Sequence, residues 1–492
     1  MQRTADHEWI SNGWFLTVAG LLILIAAARL APHLNDALWQ DEAHAALTFF
    51  TQPFTYSFAH YPLPNHHPLF DAVMALWWDR GDSEQITRAL PALIVLGSLV
   101  ALVSVAQRLL GRSAALLALV LFSSATVTAH FALQLRGYGF SWLPVICLLW
   151  ATHALVTRVS VMRSLCYLTL STITCAIVPT NGVLAAAIAV WGLLMTGQAP
   201  GTGRRHVLCG LLLAGPALGA LVYVPVAGEM SALAKIAWNP LARPSVLWHV
   251  LTAFSADFAL VLPLALFGGF RMLRARASAL RPASDWTVLS LLIVTVGSIV
   301  VTLVVLPNPP FPRNFVPWLP LWCLALAGLV VRGASMTRKG VSHAGLLLAL
   351  VASAFSVYLS QKLDWCQATL FGAPVEQNLC RGFYQRGYAP AATLQWLLKH
   401  VTARNSEVVV SDEGMSLIYL IRNYDIKIPF NLSNFKAWPE AMKQREFPIE
   451  ALYVVSDKPI EWLQAGRSAG SPAGQYREIH TTGVFRIYEV SR

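Results

Sequence analysis

Just beyond its first long apolar run the chain carries Leu38-Trp39-Gln40-Asp41-Glu42-Ala43-His44, then His60-Tyr61-Pro62 and Asn65-His66-His67-Pro68. Two adjacent carboxylates with histidines nearby are groups that can take a proton from an attacking hydroxyl or hold a divalent ion. The same residues admit a structural reading, in which Asp41 and Glu42 cap an interfacial helix over 41–50. A second cluster, Gln134-Leu135-Arg136-Gly137-Tyr138, lies between two apolar runs. An arginine so close to a membrane core is costly unless paired or bound to something. Its planar fork suits a phosphate, although snorkelling to lipid headgroups would also satisfy it. A third cluster, Pro307 to Pro317, is stiffened by prolines and holds Arg313; Lys235, Trp238, Arg243, His249 and Asp257 occupy another polar stretch.

Long hydrophobic elements must position these groups. Of 492 residues, 56% are hydrophobic and 12% charged, and the mean hydropathy is +0.54. Ordinary soluble domains are about 25% charged, so this composition excludes that class. Apolar runs lie near 14–31, 90–107, 113–132, 139–156, 165–179, 182–197, 207–226, 257–271, 286–306, 315–331 and 342–360. Most are close to the roughly 20 residues that cross a bilayer as a helix. The expected architecture is a polytopic α-helical membrane protein of about eleven spans. A count of 12–13 stays open because 68–80, too short for a normal span, could be re-entrant or an extra crossing; here it is taken as an interfacial helix with Trp77 and Trp78 at headgroup level.

The net charge of +11 is an orientation signal rather than a nucleic-acid surface. With the N-terminus inside, Arg108/Arg112, Arg158/Arg163, Arg204/Arg205, Arg271/Arg274/Arg276/Arg281 and Arg332/Arg338/Lys339 all fall on the cytoplasmic side, as the positive-inside rule requires. Segment 32–89 and everything after 360 then face outward. Residues 1–360 form the expected membrane domain, with 32–89 as its large outer loop. Residues 361–492 alternate strand-like runs (407–411, 451–455, 484–490) with helical ones (391–400, 415–422), the pattern of a small α/β domain. Cys366 and Cys380, the two cysteines of that outer part among seven in the chain, are placed to form a disulfide in an oxidising compartment, or else remain as buried thiols.

No G-x-x-x-x-G-K-[ST] loop, G-x-G-x-x-G after a strand, H-E-x-x-H or C-x-x-C occurs, so nucleotide hydrolysis and structural zinc have no sequence support. The spans are nearly free of carboxylates, which weakens a transporter reading.

The order of the outer motifs carries a resemblance. A span is followed by Asp41-Glu42, His67-Pro68-Leu69, a Gly81-Asp-Ser-Glu84 turn, Arg88-Ala-Leu-Pro91, Leu110-Gly-Arg112 and Arg136-Gly-Tyr138. This resembles the GT-C glycosyltransferases that use polyprenyl-phosphate sugars: protein O-mannosyltransferases, the lipid A aminoarabinose transferase, and bacterial relatives acting on lipopolysaccharide core or O-antigen. The likeness is strong over about 35–140 and looser to 360; Arg313-Asn-Phe-Val-Pro317 looks like the family's late arginine–aromatic–proline turn. It implies Asp41 as catalytic acid-base residue with Glu42 beside it, Arg136, Tyr138 and Arg313 as donor-phosphate ligands, and His44, His66 and His67 as supports for the acceptor and the loop.

Two departures matter. Pro-Leu replaces Pro-Pro-Leu after His67, and Gln134 stands where metal-dependent oligosaccharyl members carry an acidic residue. The resemblance therefore implies no required cofactor, with a divalent cation left open at His66 and His67. It implies an inverting transferase in the plasma (inner) membrane that moves a hexose, pentose or amino sugar from a polyprenyl-phosphate carrier to a lipopolysaccharide, glycolipid or protein acceptor on the outer face, with membrane lipids as surroundings and no nucleic-acid partner. A lipid-linked sugar transporter or flippase, and a membrane-anchored envelope assembly protein, are the alternatives.

Overall fold

A computed structural model of the chain describes residues 12–62, 66–79, 81–196, 202–235, 242–274, 283–335, 389–402, 405–411, 414–435, 451–456, 460–464, 472–482 and 485–491. The last apolar run (342–360) and the Cys366–Cys380 pair lie outside these residues. The described residues divide into two compact units: Met1–His33, Thr55–Val73 and Arg88–Gln377 in one, and Leu34–Phe54, Met74–Thr87 and Asn378–Arg492 in the other.

The first unit is helical. Helices occupy Asn12–Leu30, Glu84–Leu110, Arg112–Ser124, Trp142–Thr157, Val161–Ile177, Asn181–Thr196, Thr202–Leu221, Leu262–Arg274, Ala283–Val305 and Leu319–Ser335, close to the apolar runs. Five segments (12–35, 84–110, 137–157, 285–305 and 312–332) are long and apolar enough to cross a membrane, or six if the bent pair Arg204–Leu221 and Val224–Ala234 is one span. Large apolar side chains are exposed along them, including Leu24, Leu93, Val207 and Val304. An apolar exterior around a packed interior is what a lipid solvent selects. The protein is a helical membrane protein.

Without a hydrophobic force between helices, close approach in lipid depends on small residues. Gly215-Pro-Ala-Leu-Gly219 provides it. A Cβ at Gly215 would meet the Tyr167 ring at 2.7 Å, and one at Gly219 would collide with Cys175. Tyr167 uses that proximity to donate to the Leu212 carbonyl at 2.7 Å.

The run expected as one span over 113–132 is broken. Ala125 is extended (ψ 135°), separating Arg112–Ser124 from Thr126–Phe131. A break in apolar surroundings frees backbone groups that need partners. Arg29 Nη1 donates to the Ser123 and Ser124 carbonyls at 3.1 and 2.9 Å. Asp257, 2% exposed, accepts from Thr126 N at 2.6 Å and Thr126 Oγ1 at 2.8 Å. A cation thus meets the negative end of one half-helix and an anion the positive end of the other.

The second unit holds a five-stranded sheet of order β2-β1-β3-β5-β4, with β1 Ser406–Val410, β2 Asn431–Asn434, β3 Ala451–Ser456, β4 Gln475–Thr482 and β5 Phe485–Ser491. β1 is parallel to β2 and β3; β5 is antiparallel to β3 and β4. Val409, Leu452, Val454, Leu463, Tyr476 and Tyr488 build its core. The expected strands and helices 391–400 and 415–422 are found within one or two residues, whereas β2 and β4 were not foreseen. This unit also takes in chain from 34–54 and 74–87. The helix Gln40–Ala45 packs on Met415–Asn423. Gly81 N donates to Asn423 Oδ1 at 3.1 Å, Asn423 Nδ2 to the Asp82 carbonyl at 3.3 Å, and Tyr424 Oη to Glu84 Oε2 at 3.2 Å.

Candidate active site

Pro68 opens the helix Pro68–Trp77, the position where a missing N–H costs nothing. Asp71 in its first turn, 1% exposed, reaches back over the helix start. Its Oδ2 accepts from His67 N at 3.1 Å and lies 2.8 Å from His66 Nδ1. His66 Nε2–H donates to the Ser57 carbonyl at 2.7 Å, and the Tyr61 ring meets His66 edge-on at 5.2 Å. Tyr61 N in turn donates to the Glu229 carboxylate. A single buried carboxylate therefore fixes both histidines, one through its ring and one through its backbone.

His67 connects this turn to the Arg136 cluster. Arg136 Nε donates to His67 Nε2 at 3.0 Å. The Tyr138 ring lies edge-on to His67 at 4.8 Å, with the Arg136 guanidinium 5.6 Å from its centroid. Tyr138 Oη donates to Asn314 Oδ1 at 3.0 Å. Asn314 neighbours Arg313, whose guanidinium stacks 4.7 Å from the Phe311 ring. The turn Pro312–Trp318 is itself held by Trp142 Nε1, which donates to the Val316 carbonyl at 3.0 Å. Arg136, Tyr138 and Arg313 are all buried. Burial, then the charges of Arg136, His66 and Arg313, hold the His67 imidazole well below the usual histidine pKa, so the ring is neutral at physiological pH.

Asp41, Glu42 and His44 belong to the other unit. Gln40–Ala45 continues as a wider turn over Ala46–Phe50, matching the helix expected over 41–50. Glu42 Oε2 accepts from Trp39 N at 2.9 Å, and Glu42 is fully buried while Asp41 is partly exposed. Glu42 thus secures the helix start. Asp41, one residue earlier, is the less buried of the two. His44 Nδ1 is 3.1 Å from Thr48 Oγ1.

Of the residues singled out by sequence, His66, His67, Arg136, Tyr138 and Arg313 come together in one unit, and Asp41, Glu42 and His44 share one helix in the other. Asp71, Asn314, Tyr61 and Ser57 join the first cluster without having been assigned to it. The signal for Asp71 was present: an acid in the first turn of a proline-opened helix. The histidine pair fits a cation poorly, because His67 Nε2 faces a guanidinium and both His66 ring nitrogens face protein acceptors. Among the described residues no group of three or more His, Cys, Asp or Glu forms a metal cluster.

The architecture can be set beside known structures. The chain aligns with ArnT from Cupriavidus metallidurans bound to undecaprenyl phosphate over 97% of its own length and 98% of ArnT, at 12% identity and a TM-score of 0.55. The chain has the GT-C fold. The Archaeoglobus fulgidus oligosaccharyltransferase in complex with zinc and sulfate aligns at a TM-score of 0.47 and 13% identity over 92% of this chain and 68% of that one. The arabinosyltransferase EmbB from Mycobacterium smegmatis aligns at 0.44 and 15% over 75% and 40%. No family profile and no curated relative matches by sequence. At such identity it is the fold that is shared, and the buried Arg136–His67–Tyr138–Asn314 chain of contacts must be understood from its own chemistry.

Proposed function

We propose that this GT-C protein is an inverting glycosyltransferase that moves one sugar from a polyprenyl-phosphate donor to a cell-envelope acceptor on the outer face of the membrane. The observation that carries this reading is the pair of buried arginines, Arg136 and Arg313, 3% and 8% exposed, tied together through Tyr138 and Asn314. Buried cations of this kind are charge-assisted donors for a phosphate. That ArnT, of matching length and fold, binds undecaprenyl phosphate supports a polyprenyl carrier.

In the proposed reaction an acceptor hydroxyl attacks the anomeric carbon and Asp41 takes its proton. The bond from that carbon to the phosphate oxygen breaks on the opposite face, and polyprenyl phosphate leaves with the electron pair. Arg136 and Arg313 stabilise the charge growing on that oxygen. Direct displacement inverts the anomeric centre. Glu42 orients Asp41 through the helix start, and no metal-dependent step is required, because guanidinium groups carry the leaving-group charge.

The proposal includes an N-in topology of about eleven spans, with 1–360 as the membrane domain and 361–492 outside, in a plasma (inner) membrane. An active alkaline-phosphatase fusion at about residue 480 is expected; an inactive one rejects the orientation. The function is tested by transfer from defined polyprenyl-phosphate sugars with purified protein, and mass spectrometry of envelope glycans from a deletion strain identifies sugar and acceptor. Asp41→Asn should insert normally and lose about 10²–10⁴ in rate, as for a missing base. Retention of more than about a tenth of wild-type turnover rules out Asp41 as the base.

A further inference from the structure

Two buried donors of the Arg136 cluster, His67 Nδ1 and Gln134 Nε2, have no hydrogen-bond partner among the described residues, and both side chains are 2% exposed. The tautomer of His67 follows from its neighbour. Arginine stays protonated in proteins, so its Nε always carries a hydrogen. Arg136 Nε donates to His67 Nε2 at 3.0 Å, and that nitrogen must supply the lone pair. The ring proton of a neutral imidazole then sits on Nδ1. Buried N–H groups are almost always satisfied in native proteins, and one left open on a ring that the buried Arg136 itself contacts is an anion donor in waiting.

We propose that His67 is a neutral donor locked in one tautomer by Arg136, presenting Nδ1–H to an anionic oxygen of the lipid carrier's phosphate, with Gln134 Nε2 as a second donor from the Arg136 segment. The inference rests on the phosphate-binding reading above and deepens it. Arg136 supplies charge to the site and also fixes the direction of a second donor. His67 contacts substrate through Nδ1 and takes no proton. Its Nε2 lone pair is spent on Arg136, which excludes a role as base or as metal ligand through that atom. A neutral donor also binds anion without titrating across the physiological range.

The test compares wild type, His67→Asn and His67→Gln in lipid nanodiscs, with undecaprenyl monophosphate as the probe. Asn can place an amide N–H near the Nδ1 position, whereas Gln can place its carbonyl near Nε2, keeping an acceptor for Arg136 but no donor at Nδ1. We expect His67→Gln to weaken binding about tenfold, the equivalent of one net hydrogen bond of about 1.4 kcal/mol, and His67→Asn to stay within about threefold. In wild type labelled with 15N-histidine, Nδ1 should be protonated and Nε2 bare from about pH 5 to 8, and the Nδ1 signal should move when the probe is added. A proton on Nε2 or on both nitrogens, or wild-type affinity in His67→Gln, overturns the proposal while leaving the phosphate site standing. Failure of wild type to bind undecaprenyl monophosphate removes both.

Discussion

Asp71→Asn is the most informative single change. It keeps the size of the side chain and removes a charge that is 1% exposed and holds His66 Nδ1 at 2.8 Å and His67 N at 3.1 Å. The two contacts to this buried carboxylate are charge-assisted hydrogen bonds, worth about 1.5–3 kcal/mol each. The amide oxygen can still accept one of the two bonds at the strength of a neutral contact, about 1 kcal/mol. The net loss is then about 3 kcal/mol, or on the order of 5 °C in melting temperature for a unit of this size. Both histidines should also turn, so transfer should fall together with stability. The assay is thermal unfolding of purified protein in detergent, with sugar transfer measured on the same samples. Asp425→Asn is the control: Asp425 and its partner Lys427 are 84% and 88% exposed, and this change should be indistinguishable from wild type. If Asp71→Asn melts within about 1 °C of wild type, below the loss expected for these charge-assisted bonds, and transfers sugar normally, Asp71 does not organise the two histidines.

Further outcomes follow from other contacts. Gly219→Ala puts a methyl against both Sγ and Cβ of Cys175 and should destabilise by about 1–3 kcal/mol, as overpacking does; adding Cys175→Gly, which removes both atoms, should recover part of the lost melting temperature. His67 stays neutral in the fold because of burial and then the Arg136 charge, while the unfolded chain takes a proton below about pH 6.5. Stability is therefore fully present above that value and lost as pH falls, by about 1.4 kcal/mol at one unit below; His67→Asn should flatten the melting-temperature profile between pH 7.5 and 5.5. Asn423→Ala removes both bonds to the 81–82 turn and should increase proteolytic cutting within 79–84, measured by limited digestion. Glu42→Gln keeps an acceptor for Trp39 N and should cost about 1 kcal/mol or less, with far milder loss of transfer than Asp41→Asn.

The helices were legible because long apolar runs have one stable conformation in lipid, and their ends fall near Arg112, Arg158 and Arg332 as the charge pattern implied. The Arg136–Tyr138 element and Arg313 could be singled out because a buried cation is expensive anywhere. Their joining through Asn314 could not, since a 176-residue separation leaves no periodic trace. The interruption at Ala125 was hidden for a related reason: Ala125 is apolar, and the residues that make the break tolerable are Arg29 and Asp257, distant in sequence. Asp71 was passed over because one acid in an apolar ten-residue helix looks like a surface cap. β1, β3 and β5 announced themselves by β-branched and aromatic residues, whereas β2, Asn431-Leu-Ser-Asn434, reads as a turn.

The interruption at Ala125 also has a consequence for how the chain is made. Thr126 reaches the membrane long before its acceptor, because 131 residues separate it from Asp257. At about 5–20 residues per second, that interval is roughly 7–26 s. Throughout it, the open amide at Thr126 must borrow another acceptor, from water or from the insertion machinery. Arg29 has no such wait for Asp257 alone, because the Ser123 and Ser124 carbonyls arrive earlier. Half of the interruption is thus sealed during synthesis and half only when the Asp257 segment docks. Loss of Asp257 should therefore register first as reduced yield and faster clearance of newly made chains, whatever its effect on the finished protein.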